Sequence, residues 1–272
     1  MKMNSLSFVL NVAWYHSLKK FTSFIFLREE NIMSEEYGEE YYKRCVAKGI
    51  DYAFYGSWQK QYAKLVIFMT EIYKMDYRNK TMLDIGCACG VNLMAFKETG
   101  MFDKHYGIDI SQYLIELGKK KFGLSEDELR IGNSCELPFE NNTIDFIHCS
   151  QLFEHLTHDE VLDTIQEMKR VLVKNGKGLI TLDAIKYGRN KKKVLEQDPS
   201  HTTAKDKGWW KSLLVKEFDI QDGIPTKNIF RKGKFYPGGS DDLDPTKESE
   251  NKRRTFYDHY NGEWTIFILK GK

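Results

Sequence analysis

The stretch "TMLDIGCACGVNL", residues 81–93, couples a short apolar run to a cluster of small residues. Met82 to Ile85 has the length of a buried strand broken by one acid, Asp84, and Asn92 to Glu98 has the length of a helix. Between them Gly86, Cys87, Ala88, Cys89 and Gly90 carry little side chain, as expected where a ligand approaches main-chain N–H groups at a strand-to-helix turn. A second run, Tyr106 to Ile110, contains Asp109, 25 residues after Asp84. An acid at the end of a second strand can accept both hydroxyls of a ribose, so the pair predicts an adenosine-containing ligand.

The turn does not follow the dinucleotide pattern. Ala88 stands where G-x-G-x-x-G has its middle glycine, and Asn92 and Leu93 follow. Asp84 argues the same way, because a carboxylate just before the turn is unfavourable beside pyrophosphate but can help to hold an ammonium group. The residues favour a ligand with adenosine at one end and an amino-acid group at the other.

Outward from this turn, short apolar runs alternate with helix-length segments. Gln112 to Phe122 reads as a helix, Ile131 begins a short strand region, "TIDFIHCS" from Thr143 is another strand, and Lys177 to Leu182 is a fifth. Thr157 and Glu160 form a capping box before Val161, Leu162, Ile165, Met168, Val171 and Leu172, which recur at helical spacing. Trp209 to Val215 reads as a helix, Phe218 to Ile220 and "WTIFIL" at 264–269 as strands. Such alternation predicts an α/β fold, a doubly wound and mostly parallel sheet of seven strands covered by helices on both faces. Upstream, an acidic, tyrosine-rich stretch from 34 to 56 and a helix from Ser57 to about Tyr73 predict an N-terminal helical cap over 33–76, followed by the main domain over 77–272.

In this order the motifs resemble those of the class I S-adenosylmethionine-dependent methyltransferases, whose fold is Rossmann-like. "LDIGCACG" resembles the first motif, "YGIDIS" the second, "GNSCELPFENNTIDFIHCSQLFEHL" the stretch of strand, Leu-Pro-Phe turn and strand, and "EMKRVLVKNGKGLIT" the helix and fifth strand that follow. The resemblance runs across about 81–182 and implies S-adenosyl-L-methionine as cofactor. It implies that Asp84, Gly86, Cys87, Ala88 and Gly90 form the cofactor turn, with Asp109 on the ribose and Ile110 beside the adenine. Asn133 and Ser134 fall on the adenine side, and Gln151 on the methionine side. Asn133 replaces the acid that is usual there, yet its amide oxygen can still accept from an adenine amine. Tyr42, Tyr55 and Trp58 of the cap are expected to close over the methionine end and exclude water.

The acceptor side points to two histidines. His155 lies in "LFEHL" just after the fourth strand, and His201 in "DPSHTTAKDKGWW". The second stretch resembles the branch associated with sugar, surface-glycan and other secondary-metabolite pathways, where the histidine lies near the acceptor entrance. Both are candidate catalytic residues, as a base or a hydrogen-bond donor. Structural turn histidines remain the alternative.

Composition narrows the partners. With 41 basic against 39 acidic residues the formal charge is +2, so no global field draws the chain to a polyanion. Nucleic acid is therefore an unlikely partner, although basic and aromatic residues in a 221–262 insertion keep an RNA methyltransferase reading open. A catalytically silent partner subunit on the same fold is the other alternative. The five cysteines, Cys45, Cys87, Cys89, Cys135 and Cys149, include no pair at the two-residue spacing of a zinc half-site, so reduced thiols, no metal and a cytoplasmic setting are expected. Residues 1–32 are apolar blocks split by Lys19 and Lys20, too interrupted for a membrane span. They read as a surface helix, a buried extra helix or a tail made by an upstream start, with Met33 as the natural beginning and the extension dispensable. A small-molecule acceptor and a monomer or homodimer complete the expectation.

Overall fold

The computed structural model describes residues 37–47, 51–70, 77–184, 201–222 and 263–272. The 1–32 extension and nearly all of the 221–262 insertion lie outside them. Two helices, α1 (Glu39–Ala47) and α2 (Ser57–Met69), precede the alternating part. There follow β1 (Thr81–Ile85), α3 (Val91–Thr99), β2 (Lys104–Asp109), α4 (Gln112–Phe122), β3 (Leu129–Ile131) and β4 (Ile144–Ser150). A short 3-10 turn (Phe153–His155) leads to α5 (His158–Val171), β5 (Leu172–Ala184), α6 (Lys207–Glu217), β6 (Phe218–Asp222) and β7 (Glu263–Gly271).

These seven strands form one sheet in the order β3-β2-β1-β4-β5-β7-β6. Pairing is parallel from β3 to β5, and β7 runs antiparallel to both of its neighbours. The order reverses at β1, so the connections that leave β1 and β4 turn to opposite faces at the carboxyl ends of these strands, where open α/β sheets bind ligands. Alternation along the strands divides the core. Leu83, Ile85, Ile147, Cys149, Ile180 and Leu182 meet Val161, Ile165 and Met168 of α5 and Trp210 and Leu214 of α6 on one face. Met82, Phe146 and Leu179 meet Tyr62 and Val66 of α2 and Leu93 and Phe96 of α3 on the other. Each buried aliphatic or aromatic side chain contributes about 1.5–3 kcal/mol, so the period-two pattern fixes the register.

The capping box forms as read: Thr157 accepts from the Glu160 N–H, and Glu160 accepts from the Thr157 N–H at 2.7 Å. Two boundaries differ from the sequence reading. Ile131 ends β3 rather than beginning it, because Leu129 is the fully buried residue there. β5 begins at Leu172, before the glycines, and its pairing with β4 shifts register between Ile144 and Phe146. Among the described residues no helix is long and apolar enough to cross a membrane.

Candidate functional site

The turn between β1 and α3 is held by the next strand: the N–H groups of Gly86 and Cys87 both donate to the Ile108 carbonyl, at 2.9 and 3.0 Å. Gly86, Ala88 and Gly90 all take positive φ, at 70, 49 and 79°. Glycine meets this demand freely, whereas Ala88 adopts the left-handed region at a cost of about 1–2 kcal/mol. The chain itself also excludes side chains here. A Cβ on Gly86 would lie 3.1 Å from the Leu152 side chain, and one on Gly90 would lie 2.9 Å from Leu124. Gly118, which the sequence reading passed over, is tighter still: a Cβ there would lie 2.3 Å from the Cys89 carbonyl oxygen, so α4 packs against the turn's backbone. The bareness of this turn is therefore partly demanded by internal packing, not by a ligand alone.

Asp109 faces the turn from the end of β2. One carboxylate oxygen accepts from the Ala88 N–H at 2.8 Å, the other from the Ser111 N–H at 2.9 Å. Burial pushes its carboxyl above the usual range, and these two N–H groups act against that shift. The strained Ala88 conformation thus has a structural return, because it aims an N–H at the acid. Ile110 follows, half-buried at the rim.

Asp84 is 1% exposed, on the face that α2 covers. Its register partner on β4 is His148. His148 Nδ1 lies 2.6 Å from Asp84 Oδ1, and its Nε2 lies 2.9 Å from the Tyr62 hydroxyl. The other carboxylate oxygen of Asp84 is buried and has no hydrogen-bond partner among the described residues. Gln151, just beyond β4, has a φ of 56° and a buried Nε2 likewise unpartnered. An unsatisfied acceptor and an unsatisfied donor beside one turn suit the ammonium and carboxylate of an amino acid. The residues present thus fit S-adenosylmethionine.

Other expected cofactor residues sit differently. Asn133 Oδ1 accepts from the Cys135 N–H at 2.9 Å, which leaves its second lone pair and its amide N–H groups for a base. The Ser134 hydroxyl pairs with Thr164 of α5 at 2.9 Å, which fixes this segment against α5. Cys87 is buried, and its thiol, raised by burial, fills the space beside Gly107. The Cys89 thiol donates to the Tyr52 carbonyl at 2.5 Å and is raised to about 12, chiefly by burial.

In the aromatic cap, Tyr42 donates to Asp51 at 2.7 Å and tilts against Tyr113 of α4, with ring centroids 5.7 Å apart. Tyr55 packs 6.0 Å from Phe122 at the C-terminal end of α4, with the Lys60 ammonium over its ring. Trp58 lies in the first turn of α2, its side chain outside the described residues. Tyr62 of α2 reaches the polar face, where its hydroxyl meets His148.

The two candidate histidines meet. His155 and His201 have ring centroids 4.8 Å apart at 82°. Segment 201–203 is fastened to the 3-10 turn: the Thr203 N–H donates to the Glu154 carbonyl at 3.1 Å, and the Thr202 hydroxyl to those of His155 and Leu156 at 2.9 and 2.7 Å. Tyr37 stands edge-on to His155 at 6.4 Å, and its carbonyl accepts from the Ser111 hydroxyl at 2.6 Å. The cap's first residues therefore bridge the start of α4 and the 3-10 turn.

Comparison with known proteins agrees with this geometry. Residues 83–180 match the methyltransferase domain family. An uncharacterised protein of Rickettsia prowazekii is 30% identical over 143 residues, covering 50% of this chain and 57% of that protein. A demethylmenaquinone methyltransferase of Symbiobacterium thermophilum is 28% identical over 136 residues, covering 48% of this chain and 51% of its own. The chain thus spans about half the length of these curated relatives. Among solved structures, Haemonchus contortus phosphoethanolamine N-methyltransferase 2, in complex with S-adenosyl-L-methionine, shares the fold with a TM-score of 0.52 at 16% identity, over 75% of this chain and 51% of that one. Residues 83–180 are thus similar to the methyltransferase domain family, and the chain shares its Rossmann-like fold with the solved methyltransferase.

Proposed function

We propose that the chain is an S-adenosylmethionine-dependent methyltransferase that methylates an oxygen or nitrogen of a small polar acceptor, with sugar-linked metabolites as the class to which the "DPSH" stretch points. The observation that carries this reading is the Asp109 carboxylate, aimed across the turn by the Ala88 and Ser111 N–H groups. It is joined by the unsatisfied Asp84 and Gln151 atoms on the same rim.

When bound, S-adenosylmethionine supplies an electrophilic methyl group on a sulfonium. Asp109 accepts from the ribose hydroxyls, while the Asp84 and Gln151 side chains receive the amino-acid end. His155 and His201 border the acceptor, where they hold its attacking group in line and exclude water. A base is needed only if that group must lose a proton.

Calorimetric titration with S-adenosylhomocysteine and with NAD tests the cofactor. Binding of S-adenosylhomocysteine without NAD is expected, and NAD binding alone would overturn the reading. Release of S-adenosylhomocysteine on incubation with fractionated metabolites, followed by mass analysis of the product, then identifies the acceptor. Transfer to RNA in place of any small molecule would replace that half of the proposal.

A further inference from the structure

The geometry points to a divalent transition-metal site formed by Glu154, His155 and His201. One ligand atom from each of the three lies within 4.8 Å of the others. A tetrahedral ion with bonds of about 2.1 Å holds its donors about 3.4 Å apart, so small side-chain rotations bring this trio onto a single ion. Glu154 and His201 are 1% and 6% exposed, and His155 is half-buried and opens to the rim.

The main chain builds the site as well as the side chains. Glu154 and His155 come from the turn that follows β4, and His201 from a segment more than forty residues later. The Thr202 and Thr203 hydroxyls and the Thr203 N–H fix that segment against the carbonyls of Glu154, His155 and Leu156. Glu154 Oε1 accepts from the Asp183 N–H at 3.2 Å, which orients the carboxylate in the way that outer hydrogen bonds orient metal ligands. Two imidazoles and one carboxylate suit zinc, cobalt or manganese, and three protein ligands leave a coordination position for a further group. The buried thiols do not compete, since burial holds those of Cys87, Cys89 and Cys149 protonated.

The site lies where the acceptor binds on the methyl-transfer reading, and this part of the inference rests on that reading. A metal there takes a hydroxyl, carboxylate or phosphate oxygen of the acceptor as its fourth ligand and fixes the oxygen in place. Histidines bound to a metal are positioning ligands, not free bases. The acceptor class then narrows to molecules with an oxygen donor close to the methylated atom.

The experiment uses the untagged full chain, freed of metal with a chelator and titrated with Zn²⁺ by calorimetry and with Co²⁺ by visible absorption. One saturable equivalent of each is expected, with the intense bands of low-coordinate Co²⁺. His201→Ala and Glu154→Gln are expected to weaken Zn²⁺ binding by about 100-fold or more. S-adenosylhomocysteine affinity, measured on the same samples, is expected to change less than about threefold and reports that each variant is folded. His155→Gln, at the half-buried position, gives a second variant should either buried one fail to fold. Absence of a saturable equivalent, or equal binding by the folded variants, overturns the site. Metal binding by a protein that ignores S-adenosylhomocysteine would leave the site standing and remove the methyl-transfer reading instead.

Discussion

His148 Nδ1 stands 2.6 Å from Asp84 Oδ1 across the β1–β4 pair, with neither side chain open to solvent. The tautomer with a proton on Nδ1 satisfies both, since Nε2 then accepts from the Tyr62 hydroxyl. That hydroxyl also lies beside Ser150 and Thr181, so one polar seam runs beneath α2 from the cofactor rim into the sheet. His148→Leu would leave Asp84 and Tyr62 without this partner and should cost about 2–4 kcal/mol in denaturant unfolding. Tyr62→Phe should cost only about 1 kcal/mol. A double-mutant cycle that finds the two changes additive would show that the seam does not act as a unit.

Asp109→Asn keeps one acceptor for the main-chain N–H groups but loses charge toward the ribose. Hydrogen bonds to a charged acceptor are worth about 1.5–3 kcal/mol each, so S-adenosylhomocysteine binding should weaken by about 10- to 100-fold. Calorimetry on folded variant checks this, and an unchanged affinity would detach Asp109 from the ribose.

The turn can be probed in both directions. Ala88→Gly removes the left-handed penalty and should raise stability by up to about 1 kcal/mol, the gain being offset in part by the freer unfolded chain. Gly118→Ala drives a Cβ against the Cys89 carbonyl and should lower it by about 1–3 kcal/mol. Thermal melts of the two variants should move in opposite directions.

His105, at 7% exposure, has its buried Nε2 unpartnered among the described residues and a pKa lowered to about 4, first by burial and then by Lys97, against which Glu128 and Asp103 act. The folded protein therefore refuses a proton that the unfolded chain accepts at about pH 6.5. The His105 contribution is whole above pH 6.5 and is lost as pH falls from about 6.5 to about 4, with an upper bound of about 3 kcal/mol. His105→Phe should flatten the pH dependence of unfolding in that window, and an unaltered slope would assign it to other groups.

Local signals were the legible ones. The Thr157–Glu160 capping box, the alternating strands and the acids at the ends of β1 and β2 each lie within a few residues, where periodicity and cap chemistry act. What escaped depends on pairing at a distance. His148 carried no local signal because its partner Asp84 is 64 positions away, although polar residues inside two apolar strands, level with each other on β1 and β4, were a visible hint. Gly118 carried no local signal, since only the approach of the Cys89 carbonyl gives it a reason. The packing of Tyr55 against Phe122 was not legible either, because aromatic content predicts burial without saying against which end of a helix. The Glu154, His155 and His201 trio needed the Thr202 and Thr203 hydrogen bonds to become visible.

The antiparallel last strand also governs how the protein can vary. Ala184 and Glu263 pair at the carboxyl end of β5, and Asp222 is level with Ile180 and so with Ile85 at the end of β1. Ala184, Asp222 and Glu263 consequently lie near the same rim, on the β5–β7 half of the sheet, while Asp84 and Asp109 belong to the other half. Exchanges between Ala184 and His201, or between Asp222 and Glu263, leave every strand pair of the described sheet intact, so on the proposed reading acceptor choice can vary while the cofactor turn stays fixed.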